Sequence, residues 1–72
     1  MKDIGIKTEK IQLDQFLKWA DLVESGGQVA MLIADGDILV NNKICNAKRK
    51  KLYPGDVVTL KGNGTYRVVE EI

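Results

Sequence analysis

Residues 25–45, SGGQVAMLIADGDILVNNKIC, decide the fold, because the hydrophobic period changes inside them. Ser25 and Gln28 stand three positions apart, the spacing of a capping box, in which two side chains satisfy backbone N–H groups left free at a helix start. Val29, Leu32 and Ile33 follow at helical spacing and form one apolar stripe. Gly36 comes after the last helical position, where a residue without Cβ readily takes the left-handed conformation that ends many helices. Beyond it the period falls to two, with Ile38 and Val40 alternating with Asp37 and Leu39. Asn41-Asn42 tolerates positive φ and reads as a tight turn, and Lys43-Ile44-Cys45 runs back as the return strand. A capped helix leading directly into a β-hairpin places both element types in one unit.

Working outward toward the N-terminus, Leu13, Phe16, Leu17 and Ala20 repeat at i, i+3, i+4 and i+7, the stripe of another amphipathic helix. Asp14 falls in its first turn, where a negative charge suits the helix dipole. Leu22 and Val23 are expected to close this helix, and a very short link around Glu24 to join the two helices into a hairpin. Ile4 and Ile6 alternate with other residues and suggest a short first strand over Ile4–Lys7. On the other side, Tyr53-Pro54-Gly55-Asp56 has Pro and Gly at the centre of a type II turn. Val57–Leu60 reads as a strand, Gly62-Asn63-Gly64 turns the chain, and Thr65–Val69 returns. The expected fold is α+β: a two-helix hairpin packed on a small, mainly antiparallel sheet of short strands, in one domain over residues 1–72.

Composition narrows the function. A chain of 72 residues buries only about 60% of its unfolded surface, which leaves little room for an enclosed substrate pocket. Its apolar fraction of 44% argues against disorder. No apolar run approaches the roughly 20 residues of a membrane span, and Met1-Lys2-Asp3-Ile4 does not open a signal peptide. A cytoplasmic protein is expected. There is no histidine, so the commonest general base and metal ligand is missing. The single cysteine, Cys45, has no histidine partner and reads as a packing or surface residue. Asp14, Asp35, Asp37 and Asp56 are the residues a metal would use, but all four sit where caps and turns are expected. The expectation is a protein that is not an enzyme and has no cofactor.

Charge points to a partner. Residues 43–51 hold five basic side chains, Lys43, Lys48, Arg49, Lys50 and Lys51, and no acidic one. The other positions hold six basic residues against ten acidic ones, so a net charge of +1 divides into a patch of +5 and a remainder of −4. Charge alone allows either a solvated loop or a site for a polyanion. Trp19 and Tyr53 are the aromatic residues that could stack on bases. Trp19 is expected to be partly buried against the helix pair, while Tyr53 borders the basic segment and precedes a turn.

Three segments, Leu13-Asp14-Gln15-Phe16-Leu17-Lys18, Gly36-Asp37-Ile38-Leu39-Val40-Asn41 and Pro54-Gly55-Asp56-Val57-Val58, together with the basic segment, resemble the S-four RNA-binding domain. That domain takes its name from a small-subunit ribosomal protein. The resemblance covers roughly residues 11–60 and rests on the order and spacing of the segments. Leu-Lys-Trp in the first helix and Val-Glu-Ser-Gly-Gly before the second are similar to the free-standing bacterial YaaA-like branch. The strands at either end would then be short extensions that pair with the sheet.

The resemblance implies an RNA-binding face on the helix hairpin and the adjoining β-loop. Carried over position by position, it comprises Lys18 in the first helix, Ser25 at the start of the second, Lys43 after the hairpin turn, and Lys48, Arg49 and Lys51 beyond it. Lys50 and Tyr53 belong to the same segment. Gln12 and Gly26 stand where many relatives have arginine, and Gln12 would contact phosphate or ribose without a charge. The implied partner is structured RNA, ribosomal or transfer, with ribosomal proteins as further partners, no membrane, and a monomeric state. The competing reading is a protein-interaction module of a ribosome- or replication-associated complex, with the lysines at a polar rim.

Overall fold

The structure, a computed structural model, describes residues 1–71. In chain order it contains β1 (Lys2–Ile6), β2 (Ile11–Gln12), α1 (Leu13–Trp19), α2 (Gly26–Ala34), β3 (Ile38–Val40), β4 (Lys43–Ile44), β5 (Lys51–Leu52), β6 (Val57–Leu60) and β7 (Gly64–Glu70). Five strands form one sheet in the order β1-β7-β6-β3-β4, while β2 and β5 form a separate two-stranded ribbon. The class is α+β, as expected. The larger sheet is mixed: β7–β6, β6–β3 and β3–β4 are antiparallel, and β1 runs parallel to β7.

The core follows from the two periodicities. Leu13, Phe16 and Leu17 of α1 and Val29 of α2 are fully buried against Ile38, Val58 and Val68 of the sheet and Leu52 of the ribbon. Ile6 of β1 joins the same cluster. The strand expected over Ile4–Lys7 lies slightly earlier, and both terminal strands pair with the sheet. Their register sets Asp3 opposite Arg67, and the two side chains form a bidentate ion pair at 3.0 and 2.9 Å. The hydrogen bond and charge of Asp3 raise the Arg67 pKa above its ordinary value. The guanidinium therefore keeps its charge below that value and loses it only as pH rises through a strongly alkaline range.

Both helices end alike. In α2, Gly36 adopts φ 70°, its N–H bonds to Ile33 C=O, and the Asp37 N–H bonds to Leu32 C=O. That is a Schellman motif, with the left-handed residue where the sequence places it. In α1 the same two bonds run from Asp21 to Lys18 and from Leu22 to Leu17, and Asp21 takes φ 61°. The first helix thus stops at Trp19 and is closed by Asp21 and Leu22, with Val23 taking no part in the cap. The connection to α2 spans six residues, 20–25, longer than the link expected around Glu24, because it holds this cap and buries Val23. At the start of α2, Gln28 reaches back and accepts the Ser25 N–H at 3.3 Å, along with the Glu24 N–H.

The turns follow their sequences. Asn41 and Asn42 have φ of 52° and 69° and close the β3–β4 hairpin between paired Val40 and Lys43. Gly55 has φ 102° in the Pro-Gly turn, whose Asp56 N–H bonds to Tyr53 C=O at 3.0 Å. No helix among the described residues is long and apolar enough to cross a membrane.

Candidate nucleic-acid interface

The segment expected to be irregular between the first hairpin and the Pro-Gly turn is partly a strand. Lys51 and Leu52 pair with Gln12 and Ile11 in the two-stranded ribbon. This pairing brings the basic segment to the N-terminus of α1. A helix start leaves several N–H groups without partners, and the Gln12 side chain does not cap this one. Backbone carbonyls of the basic segment do so instead: the Leu13 N–H bonds to Lys50 C=O at 2.7 Å and the Asp14 N–H to Lys48 C=O at 3.1 Å. A further bond from the Lys50 N–H to Ala47 C=O folds the segment on itself. The backbone is held, while the side chains of Arg49, Lys50 and Lys51 remain exposed and that of Lys48 is half-buried.

Lys48 also reaches the other helix. Its ammonium lies 3.1 Å from where a Cβ on Gly26 would sit. Gly26, the position where an arginine was missing by resemblance, is the first residue of α2, and the absent side chain leaves room for a charge arriving from another part of the chain. The basic segment thus touches the N-termini of both helices. Sequence reasoning singled out Lys48 and Gly26 separately. Nothing in their spacing of 22 residues signals that one fills the place of the other.

The remaining candidates lie on several elements. Gln12 is exposed and pairs with Lys51. Ser25 is the exposed N-cap of α2. Lys18 is exposed in the last turn of α1, on the same helical face as Asp14 four positions earlier. Lys43 is exposed just after the Asn41-Asn42 turn and lines a cleft with Lys50. Tyr53 is 45% exposed, with its N–H donated to the Asp56 carboxylate at 2.8 Å.

Trp19 departs from expectation. It is 54% exposed, more open than the partial burial against the helix pair that was expected. Its Nε1–H donates to the Gly5 C=O at 2.8 Å, so the ring leans on the N-terminal strand.

Among the described residues, no carboxylate forms an ion pair with the basic segment. The ion pairs among the described residues are Asp3–Arg67 and Lys7–Glu71. Three of the four aspartates considered as metal ligands act locally instead. Asp14 accepts the Gln15 N–H, Asp35 is the C-cap of α2, and Asp56 accepts from Tyr53 and Asn41. Asp37 closes the Schellman motif through its N–H.

Comparison with known proteins places this geometry in a family. The chain is 46% identical over 66 residues to a Bacillus subtilis protein named "Probable ribosome maturation protein RlbA", covering 92% of this chain and 93% of that one. Residues 4–69 match the S4 domain family, so the match takes in most of both terminal strands as well as the helices and the basic segment. The chain belongs to the S4 domain family.

Proposed function

We propose that this protein binds structured RNA, docking the basic segment and the adjoining start of α2 on the ribose-phosphate backbone, and that it does so without catalysis. The observation that carries the reading is the run of five cations at 43–51, none in an ion pair with a described carboxylate, tethered to the N-termini of α1 and α2. Helix starts carry partial positive charge, and α2 has no acidic residue in its first turn. An ammonium resting there is repelled until an anion joins it, and a phosphate is an anion of suitable size and charge. Lys48, Lys50, Lys51 and Arg49 contribute the contacts, with Arg49 able to grip a phosphate with two parallel hydrogen bonds. Lys18, Lys43, Ser25, Gln12 and Tyr53 extend the surface.

The relative's name ties that protein to ribosome maturation, which favours ribosomal over transfer RNA as the partner here. A ribosome-related role fits a cytoplasmic protein acting alone as a small adaptor. Binding through phosphates depends on salt. With about four contacts, log K falls against log salt with a slope of roughly −3 to −4. Replacing Lys48, Arg49 and Lys51 together with glutamate abolishes binding and leaves the circular dichroism unchanged, since the backbone carbonyls of residues 48 and 50 still cap α1. Retention of wild-type affinity by this triple variant overturns the proposal. Binding that ignores RNA and survives high salt assigns the surface to a protein partner instead.

A further inference from the structure

β4 is the outermost strand on one side of the five-stranded sheet. The Cys45 N–H bonds to Ile38 C=O at 2.9 Å, and hydrogen-bonded and non-bonded pairs alternate along an antiparallel ladder. Ile44, opposite Leu39, therefore occupies a non-bonded position. Its N–H and C=O point away from β3, over the open edge of the sheet. The Ile44 side chain is 55% exposed. A cleft of about 540 Å³ opens here, lined by Lys43, Ile44, Asn46 and Lys50, with Cys45 among its walls. This volume lies within the roughly 300–1,000 Å³ typical of small-ligand sites. The exposed Asn46 carboxamide makes no side-chain hydrogen bond among the described residues.

We propose that this cleft holds one unstacked nucleotide of the bound RNA, an inference that rests on the RNA-binding reading above. A nucleobase carries a donor and an acceptor side by side on its Watson–Crick edge. The outward N–H and C=O of Ile44 present the complementary pair, and the Asn46 amide supplies a further donor and acceptor. The Ile44 side chain covers part of the base with apolar surface, while Lys43 and Lys50 neutralise the flanking phosphates. A base paired within a duplex cannot offer its edge, so the cleft takes only an unpaired one, from a bulge or a loop. The protein then reads a local defect in a helix that its other cations hold by shape.

The test uses two RNAs, a continuous duplex and the same duplex with one unpaired nucleotide. The expected result is roughly tenfold tighter binding of the bulged RNA. Ile44→Pro removes the outward N–H without breaking a ladder bond, a replacement edge strands tolerate. It is expected to abolish the preference while leaving duplex affinity within about twofold. Asn46→Ala, which removes only an exposed side chain, is expected to reduce the preference at least threefold and carries the test by itself if Ile44→Pro misfolds. Equal affinity for the two RNAs overturns the cleft assignment and leaves the RNA-binding reading standing. So does a preference unchanged in the folded variants. Failure of both RNAs to bind overturns both.

Discussion

Asn41 and Asn42 share a left-handed backbone yet do different things. Asn41 holds the hairpin turn against the start of β6: its Oδ1 accepts the Val57 N–H at 2.9 Å, its Nδ2 donates to Asp56 at 3.2 Å, and its N–H meets Val57 C=O. Asn42 makes no such side-chain bond among those described. Glycine suits the conformation at both positions. Asn42→Gly is therefore expected to be neutral or to stabilise by up to about 1 kcal/mol, whereas Asn41→Gly costs about 1–2 kcal/mol by stripping a partner from a half-buried N–H. Urea unfolding of the two variants separates them. The turn itself was legible, since asparagine pairs between alternating apolar residues have few other uses. The bridge to Val57 was not, because its partner lies 16 residues further on and local propensity carries no information about it. Asp21 was illegible for a related reason: aspartate signals a helix start more often than an end, and only its positive φ and its bond to Lys18 C=O reveal its role.

Among the elements, the long periodic ones were the readable ones. α2 begins at Gly26, directly after the cap at Ser25, and β6 and β7 fall where alternation and turn glycines place them. The two-residue strands β2 and β5 were missed, because two residues cannot display a period and their pairing joins positions about 40 apart in sequence. That omission mattered for the site, since this ribbon anchors the basic segment to α1. The first strand was anticipated, but its tie to α1 was not. Trp19 leaves half its ring in solvent and spends its N–H on Gly5 of β1. Trp19→Phe keeps the ring and removes the bond. Amide exchange at β1 is then expected to quicken about fivefold, with β6 in the sheet centre unchanged. Equal acceleration in both strands would mean that the indole supports the whole fold and not one edge.

Across the whole molecule, the chain separates its charge and its architecture along similar lines. The cations of 43–51 collect where two helices begin, and the acidic excess is left to the rest of the surface. Composition revealed that imbalance; only the fold shows that the segment is restrained through its own carbonyls, a preformed surface at which the proposed RNA binding would need little ordering. The parallel pairing of β1 with β7 has a consequence of another kind. The chain enters β1 opposite Tyr66 and leaves β7 opposite Ile6, so opposed tension on the two ends drags these neighbours lengthwise past each other. All five residue pairs must yield together, since none can be peeled off in turn, and rupture is governed by the unfolding barrier. Stretched by its termini in an optical trap, the protein is expected to resist far more strongly than when pulled through cysteines placed at Lys2 and Tyr66, where the same seam opens like a zip.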